Sequence, residues 1–265
     1  MMPVRLGAVE YLNARPLVFG LDRSPRFDLR FDLPSECARL LHAGEIDLGL
    51  IPSIEYVRDA SYRIAPDLAI ASRGPVASVA LFTTRPMSDV RSVVMDTSSR
   101  TSVALVRVLC ARLFKIEPAI EAHPPDLNAM LARADAALII GDKALLWGEA
   151  DERRDIQKID LGDAWTSMTG LPFVWAFWAG RAGVLSADDV RALQAARDTG
   201  VNQRDAIARE YFHELPQHRD LGARYLRDNI KYDLGGDERA GLEQFYRYAA
   251  EIGLAPAPEG LRFYP

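Results

Sequence analysis

The chain has 265 residues, is 49% hydrophobic and carries a net charge of −5. That is enough apolar material for a large core in one or two domains. The acidic balance leaves no Lys/Arg surplus to displace counterions, which argues against a nucleic-acid partner, and no apolar run is long enough to span a bilayer.

In chain order, "VRLGAV" reads as a buried strand and "ARPLVFGL" as the helix after it. "FDLRFDL" alternates as a strand does. "PSECARLLHAG" is helical, with Pro34 in the first turn and Gly44 past the end. "IDLGLI" is a strand, "PSIEYV" a short helix, and "LAIAS" and "VASVALFTT" are further apolar stretches. This alternation predicts a mostly parallel sheet covered on both faces.

A second unit starts near Arg85-Pro86. "SVVMD" and "AIEAHPP" read as strands, with "TSVALVRVLCARLF" as the helix between them. "DLNAMLARA" is a helix capped by Asp126. "AALIIGD" is a strand, "KALLWG" a short helix and "LPFVWAFWAG" a long apolar strand. From Ser186 the pattern becomes three charged amphipathic helices, about 186–213, 217–231 and 237–253, the first with a cap and first-turn acids. The expected organisation is two α/β lobes: 1–84 plus 179–265, which includes the C-terminal helices, and 85–178. A ligand cleft lies between them.

The chemistry-bearing residues sit where strands end. In "MDTSSRTSVALVRVL", the residues Thr97, Ser98, Ser99, Arg100, Thr101 and Ser102 gather at a helix start. Unpaired N–H groups, hydroxyls and an Arg there suit a carboxylate or phosphate. Dense capping is the alternative. Tyr11 and Asn13 follow the first strand, and Asn13 either grips a hydroxyl or caps the helix. Ser53, Ser78, Asp142, Thr169 and Gly170 also stand at element ends. Trp175, Phe177 and Trp178 read as core. Cys37 and Cys110 read as buried thiols, and the His and Cys spacing offers no metal site. No phosphate loop or hydrolase elbow is present. The opening residues carry no secretory pattern, so a cytoplasmic protein is expected.

The segments "GAVEYLNARPL", "LHAGEIDLGLIPSIEY", "PDLAIASRGPVASVALF", "DTSSRTSVALVRVL", "HPPDLNAMLARADAALIIGDKAL" and "TGLPFVWAFWA" together resemble the chorismate dehydratases of the futalosine route to menaquinone. The resemblance covers about the first 180 residues. It implies the two-lobed type 2 periplasmic-binding-protein fold, with a C-terminal helical segment added here. It also implies chorismate as the small-molecule substrate, an enolpyruvyl-benzoate as product and no cofactor. Asn13 and Ser78 are the residues it places at the reacting centre. Ser99, Arg100, Thr101 and Ser102 fall on its carboxylate-binding helix start, where Arg100 is expected to fork a carboxylate. Tyr11, Ser53, Ser98, Asp142, Thr169 and Gly170 complete the expected lining. Glu10 stands where the family has Ser. No His or Lys in these segments is an obvious base, so the substrate's own enolpyruvyl carboxylate is expected to take the proton. A non-catalytic carboxylate-binding protein of the same fold and the related dihydroxynaphthoate synthase are the alternatives.

Overall fold

A computed structural model describes residues 2–148, 155–257 and 259–265. The apolar alternation of the first half builds one sheet from β1 (Val4–Val9), β2 (Phe27–Asp32), β3 (Leu48–Pro52), β4 (Tyr62–Ile64) and β5 (Ile70–Ser72). A late strand, β11 (Phe173–Arg181), joins them in the order β2-β1-β3-β11-β4, and β5 also pairs with β11. The second sheet runs β10-β6-β9-β7-β8. Its strands are β6 (Val79–Thr83), β7 (Ser92–Met95), β8 (Ala119–Ala122), β9 (Ala136–Ile140) and β10 (Gln157–Asp160).

Within each sheet the locally connected strands are parallel: β1 with β2 and β3, and β7 with β8 and β9. The strands arriving from the other lobe enter antiparallel. β11 opposes β3, β4 and β5, and β6 opposes β9 and β10. The expectation of mostly parallel sheets is corrected to this mixture.

The lobe limits also move. β6, expected in lobe one, lies in the second sheet, and most of β11, expected in lobe two, lies in the first. The chain therefore crosses between Ser72 and Val79 and returns between Asp160 and Phe173, not near 84 and 178. A strand crossing a hinge keeps its apolar pattern unbroken, so hydropathy gives no sign of which sheet owns it.

Local signals set the helices. α1 (Pro34–Ala43) has Pro at its first turn and Gly44 in the left-handed conformation after it. α2 (Arg100–Leu109) is capped by Ser99, and α3 (Leu127–Leu131) by Asp126. α4 (Asp142–Leu145) follows β9. α5 (Leu161–Thr169) was not legible as a helix; it is capped by Asp160 and ends at Gly170.

The tail folds onto lobe one as α6 (Ala187–Asn202), α7 (Arg204–Tyr211), α8 (Arg219–Arg224) and α9 (Gly236–Glu251). Ser186 and Asp189 close a capping box on α6. α6 approaches so closely that a Cβ on Gly200 would stand 2.2 Å from the Pro16 carbonyl. The tail thereby fixes the segment that carries Asn13.

Candidate functional site

Between the lobes lies a cavity that opens to solvent. Its polar wall comprises Tyr11, Asn13, Ser78, Ser99 and Ser102. Its apolar wall includes Val9, Pro52, Ile70, Val76, Ile140 and Trp175. A second groove lies against the C-terminal residues Pro256, Ala257 and Glu259–Arg262 on lobe one. It sits away from both crossings, whereas the interlobe cavity gathers residues from both sheets at the strand ends. That makes the interlobe cavity the site candidate.

Asn13 lies inside a 3-10 helix, Leu12–Val18, whose N-cap is Tyr11, and so does not take the position of a helix cap. Pro16 has no N–H to offer the Asn13 carbonyl. The Tyr232 hydroxyl donates to that carbonyl instead, at 3.1 Å. The Asn13 side chain is left to line the cavity, and its buried Oδ1 has no hydrogen-bond partner. An unpartnered buried acceptor is costly, so this oxygen is suited to a ligand hydroxyl.

Ser78 is held by a turn. Its N–H donates to the Val76 carbonyl at 2.8 Å, across Ala77, whose φ is +64°. A non-glycine residue in this region stores strain, and such strain concentrates at functional sites. The Asp160 carboxylate over-determines the turn. One oxygen accepts from Val76, Gly162 and Asp163 N–H, and the other accepts from Ala77 N–H at 2.6 Å. Burial raises the Asp160 pKa, against these hydrogen bonds.

Replacing Asp160 by Asn therefore tests the turn. The amide keeps one acceptor but faces a second N–H with a donor, so the Ala77 bond is lost. We expect turnover to fall about tenfold or more, the equivalent of one hydrogen bond to a charged group, with the fold retained. The pH dependence of stability has a definite sign. A raised native pKa means the folded chain binds the extra proton. The stability contributed by Asp160 therefore falls as pH rises from the unfolded carboxylate value through the raised one. The Asn variant should lose that slope in denaturant titrations.

At the α2 start, Ser99 Oγ accepts from Ser102 Oγ at 3.1 Å and from Ser102 N–H at 3.4 Å. Both serines reach the cavity. Tyr11 packs its ring on Gly141, where a Cβ would stand 2.9 Å from it. Burial pushes the Tyr11 hydroxyl up to about 12, so it stays a donor.

The other expected lining residues are placed elsewhere. Arg100 does not line the cavity: its guanidinium pairs with the fully buried Glu55 at 2.9 Å. Glu55 is also met by Arg58 at 3.2 Å and His42 at 3.0 Å. The expected carboxylate fork is corrected to an ion pair across the lobes, in which Arg100 helps to compensate a carboxylate that would be costly to bury unpaired. Thr101 Oγ1 accepts from Ile54 N–H at 3.1 Å, and Ser53 Oγ donates to the Val174 carbonyl at 2.8 Å. Ser98 donates its N–H and hydroxyl to Asp96, and its carbonyl accepts from Ser35 N–H of lobe one. Asp142 accepts from the Tyr211 hydroxyl of α7. Arg100, Thr101, Ser98 and Asp142 fasten the lobes together around the cavity, and Ser53 Oγ lies 3.4 Å from Thr101 Oγ1. Thr169 and Gly170 lie at the end of α5 and do not line the cavity: Thr169 Oγ1 donates to the Trp165 carbonyl, and Gly170 has φ +73°. Glu10 is exposed and does not line the cavity.

Sequence reading missed Asp160, Tyr225 and the wall role of Trp175. Trp175 is core, as expected, but one face borders the cavity while its indole N–H donates to Ser72 Oγ at 3.1 Å. Tyr225, fully buried behind Ser78, places its hydroxyl 2.7 Å from Ser78 Oγ. Cys37 and Cys110 are free and buried. Among the described residues, no helix is long and apolar enough to cross a membrane.

The model of a protein family described as menaquinone biosynthesis matches residues 4–251. The chain is 33% identical to a chorismate dehydratase of Thermus thermophilus, over the full length of both. It is 30% identical to a chorismate dehydratase of Campylobacter jejuni, covering 94% of this chain and 99% of that one. Among solved structures, an Archaeoglobus fulgidus protein superposes with a TM-score of 0.75 at 18% identity, over 96% of this chain and 98% of that one. The periplasmic aliphatic sulphonate-binding protein of Escherichia coli does so with a TM-score of 0.65 at 16% identity, over 100% and 94%. The fold is thus the two-lobed periplasmic-binding-protein type.

Proposed function

The chain belongs to the menaquinone-biosynthesis family, and from this premise we propose that it removes water from chorismate in the interlobe cavity. Full-length similarity to two chorismate dehydratases supports the reaction. One observation in the site carries the mechanism. Among the described residues, the side chains of the wall are hydroxyl, amide, indole and apolar, with no carboxylate, imidazole or amine to act as base.

Chorismate supplies the missing group itself. Its enolpyruvyl carboxylate takes the proton from the ring carbon that bears the ether. The C–H electron pair moves through the ring double bond toward the ring carboxylate. The pair then returns to expel the neighbouring hydroxyl, which takes the proton now held by the enolpyruvyl carboxyl and leaves as water, and the ring becomes aromatic. The protein's part is position and electrostatics. The α2 N-terminus with Ser99 and Ser102 receives a carboxylate. Asn13 Oδ1 accepts from the departing hydroxyl, and Ser78 donates to its oxygen. Apolar walls keep water out and strengthen each of these contacts. On this reading the reaction runs in the cytoplasm, which the two unpaired thiols support, and cell fractionation tests it.

Incubation of the purified chain with chorismate, followed by mass spectrometry, tests the reading. An aromatic product lighter by one water is expected. Chorismate bound and recovered unchanged would establish a binding protein instead. Turnover of a naphthoate precursor alone would assign the other enzyme of the route.

A further inference from the structure

Tyr225 belongs to the C-terminal helices, far in sequence from the other cavity residues. It opens a π-helical turn, Tyr225–Asn229, directly after α8. Such turns carry one extra residue per turn and recur at functional sites. The end of this turn is tied to the hinge, where Asn229 donates to the Pro75 carbonyl at 2.8 Å. The turn therefore aims one side chain at the strained segment that presents Ser78. Tyr225 is 2% exposed and does not reach the cavity wall.

We propose that Tyr225 is a positioning residue for the dehydration: its hydroxyl donates to Ser78 Oγ and so turns the Ser78 proton into the cavity. A tyrosine and a serine hydroxyl 2.7 Å apart share one hydrogen bond, and either can donate. Acidity decides the direction. A phenol O–H is the stronger acid and the better donor, and an aliphatic hydroxyl oxygen is the better acceptor. Tyr225 therefore donates and Ser78 Oγ accepts. Asn13 Oδ1 has no partner in the protein. The resulting chain of donors runs from Tyr225 to Ser78, then to a substrate hydroxyl. It leaves one acceptor, Asn13 Oδ1, and one donor, Ser78 O–H, facing the same cavity. A leaving hydroxyl needs that pair. Without Tyr225, the Ser78 proton is free to turn inward, and the donor is lost for part of the time.

This role rests on the dehydratase reading, so conversion of chorismate by the parent chain is measured first. Its absence overturns that reading and this role together. If the parent converts, Tyr225→Phe should lower kcat about tenfold or more, the worth of one oriented hydrogen bond, with KM and thermal stability nearly unchanged. Replacement of Tyr225 by 3-fluorotyrosine, which keeps the hydroxyl, should restore the rate. In a Ser78→Ala background, Tyr225→Phe should cost nothing further, because Tyr225 acts only through Ser78. Parental kcat in Tyr225→Phe would overturn the role alone. So would an equal loss in the Ser78→Ala background, which would show Tyr225 acting on the fold. Failure of 3-fluorotyrosine to restore the rate would do the same.

Discussion

Ser78→Ala should slow chorismate turnover about a hundredfold or more, by comparison with loss of a single preorganised donor, and Asn13→Asp should slow it comparably by setting a negative charge beside the departing oxygen, while KM changes little in both. The asymmetry follows from when the contacts matter. The substrate hydroxyl is neutral in the ground state and gains negative charge only as it leaves. Groups that strengthen only then set kcat, not KM. Asn13→Asp puts a carboxylate where Oδ1 now stands without a partner, and its charge opposes the departing oxygen. Ser78→Ala removes the donor outright and leaves the Tyr225 hydroxyl without its buried partner. Single-turnover kinetics beside calorimetric binding, on variants with parental thermal midpoints, separates the two effects. Binding lost in proportion to rate would make both residues ligand grips.

Glu55→Ala should destabilise the chain by about 2–4 kcal/mol, near the lower end for breaking a buried ion pair. Glu55 is fully buried, and it gathers Arg58, His42 and, from the other lobe, Arg100. The cost stays at the lower end because Arg58 and Arg100 keep 55% and 40% of their side-chain exposure and rehydrate. Arg100→Ala should cost less, roughly 1–2 kcal/mol, since Arg100 is itself 40% exposed and Glu55 keeps Arg58 and His42. The double variant should cost little more than Glu55→Ala alone, because Arg100 acts through Glu55. Equilibrium denaturation of the three variants measures this. Additive losses would mean that Arg100 has a separate partner. A loss of chorismate affinity in Arg100→Ala that persists in the Glu55→Ala background would restore it to the binding site.

Elements with strong local signals were legible. Pro34 and Gly44 bracket α1, Ser186 and Asp189 open α6, and the alternation in "FDLRFDL" marks β2. So was the neighbourhood of the site: Tyr11, Asn13, Ser78, Ser99 and Ser102 all reach one cavity. Their sorting was not legible. Ser99 and Arg100 are adjacent, yet the Ser99 side chain faces the cavity and the Arg100 side chain meets Glu55. That difference depends on where a distant carboxylate is buried. Tyr225 and Asp160 were invisible for the same reason. Each acts on the segment Val76–Ser78 from well outside its sequence neighbourhood. The α5 helix was hidden because "GDAWTSMTG" carries few strong helix formers; its cap and its packing against Ser72 and Gly74 fix it. The hinge strands misled because β6 and β11 are apolar on both faces whichever sheet they join.

The single-turnover rate of a chorismate analogue with its enolpyruvyl carboxylate esterified tests the account most directly. The cavity wall provides no base among the described residues, so the proton must go to that carboxylate. The account predicts that the analogue binds and is recovered unchanged under conditions in which the chain converts chorismate fully. Conversion of the ester at the rate of chorismate would contradict it, since the base would then have to come from the protein.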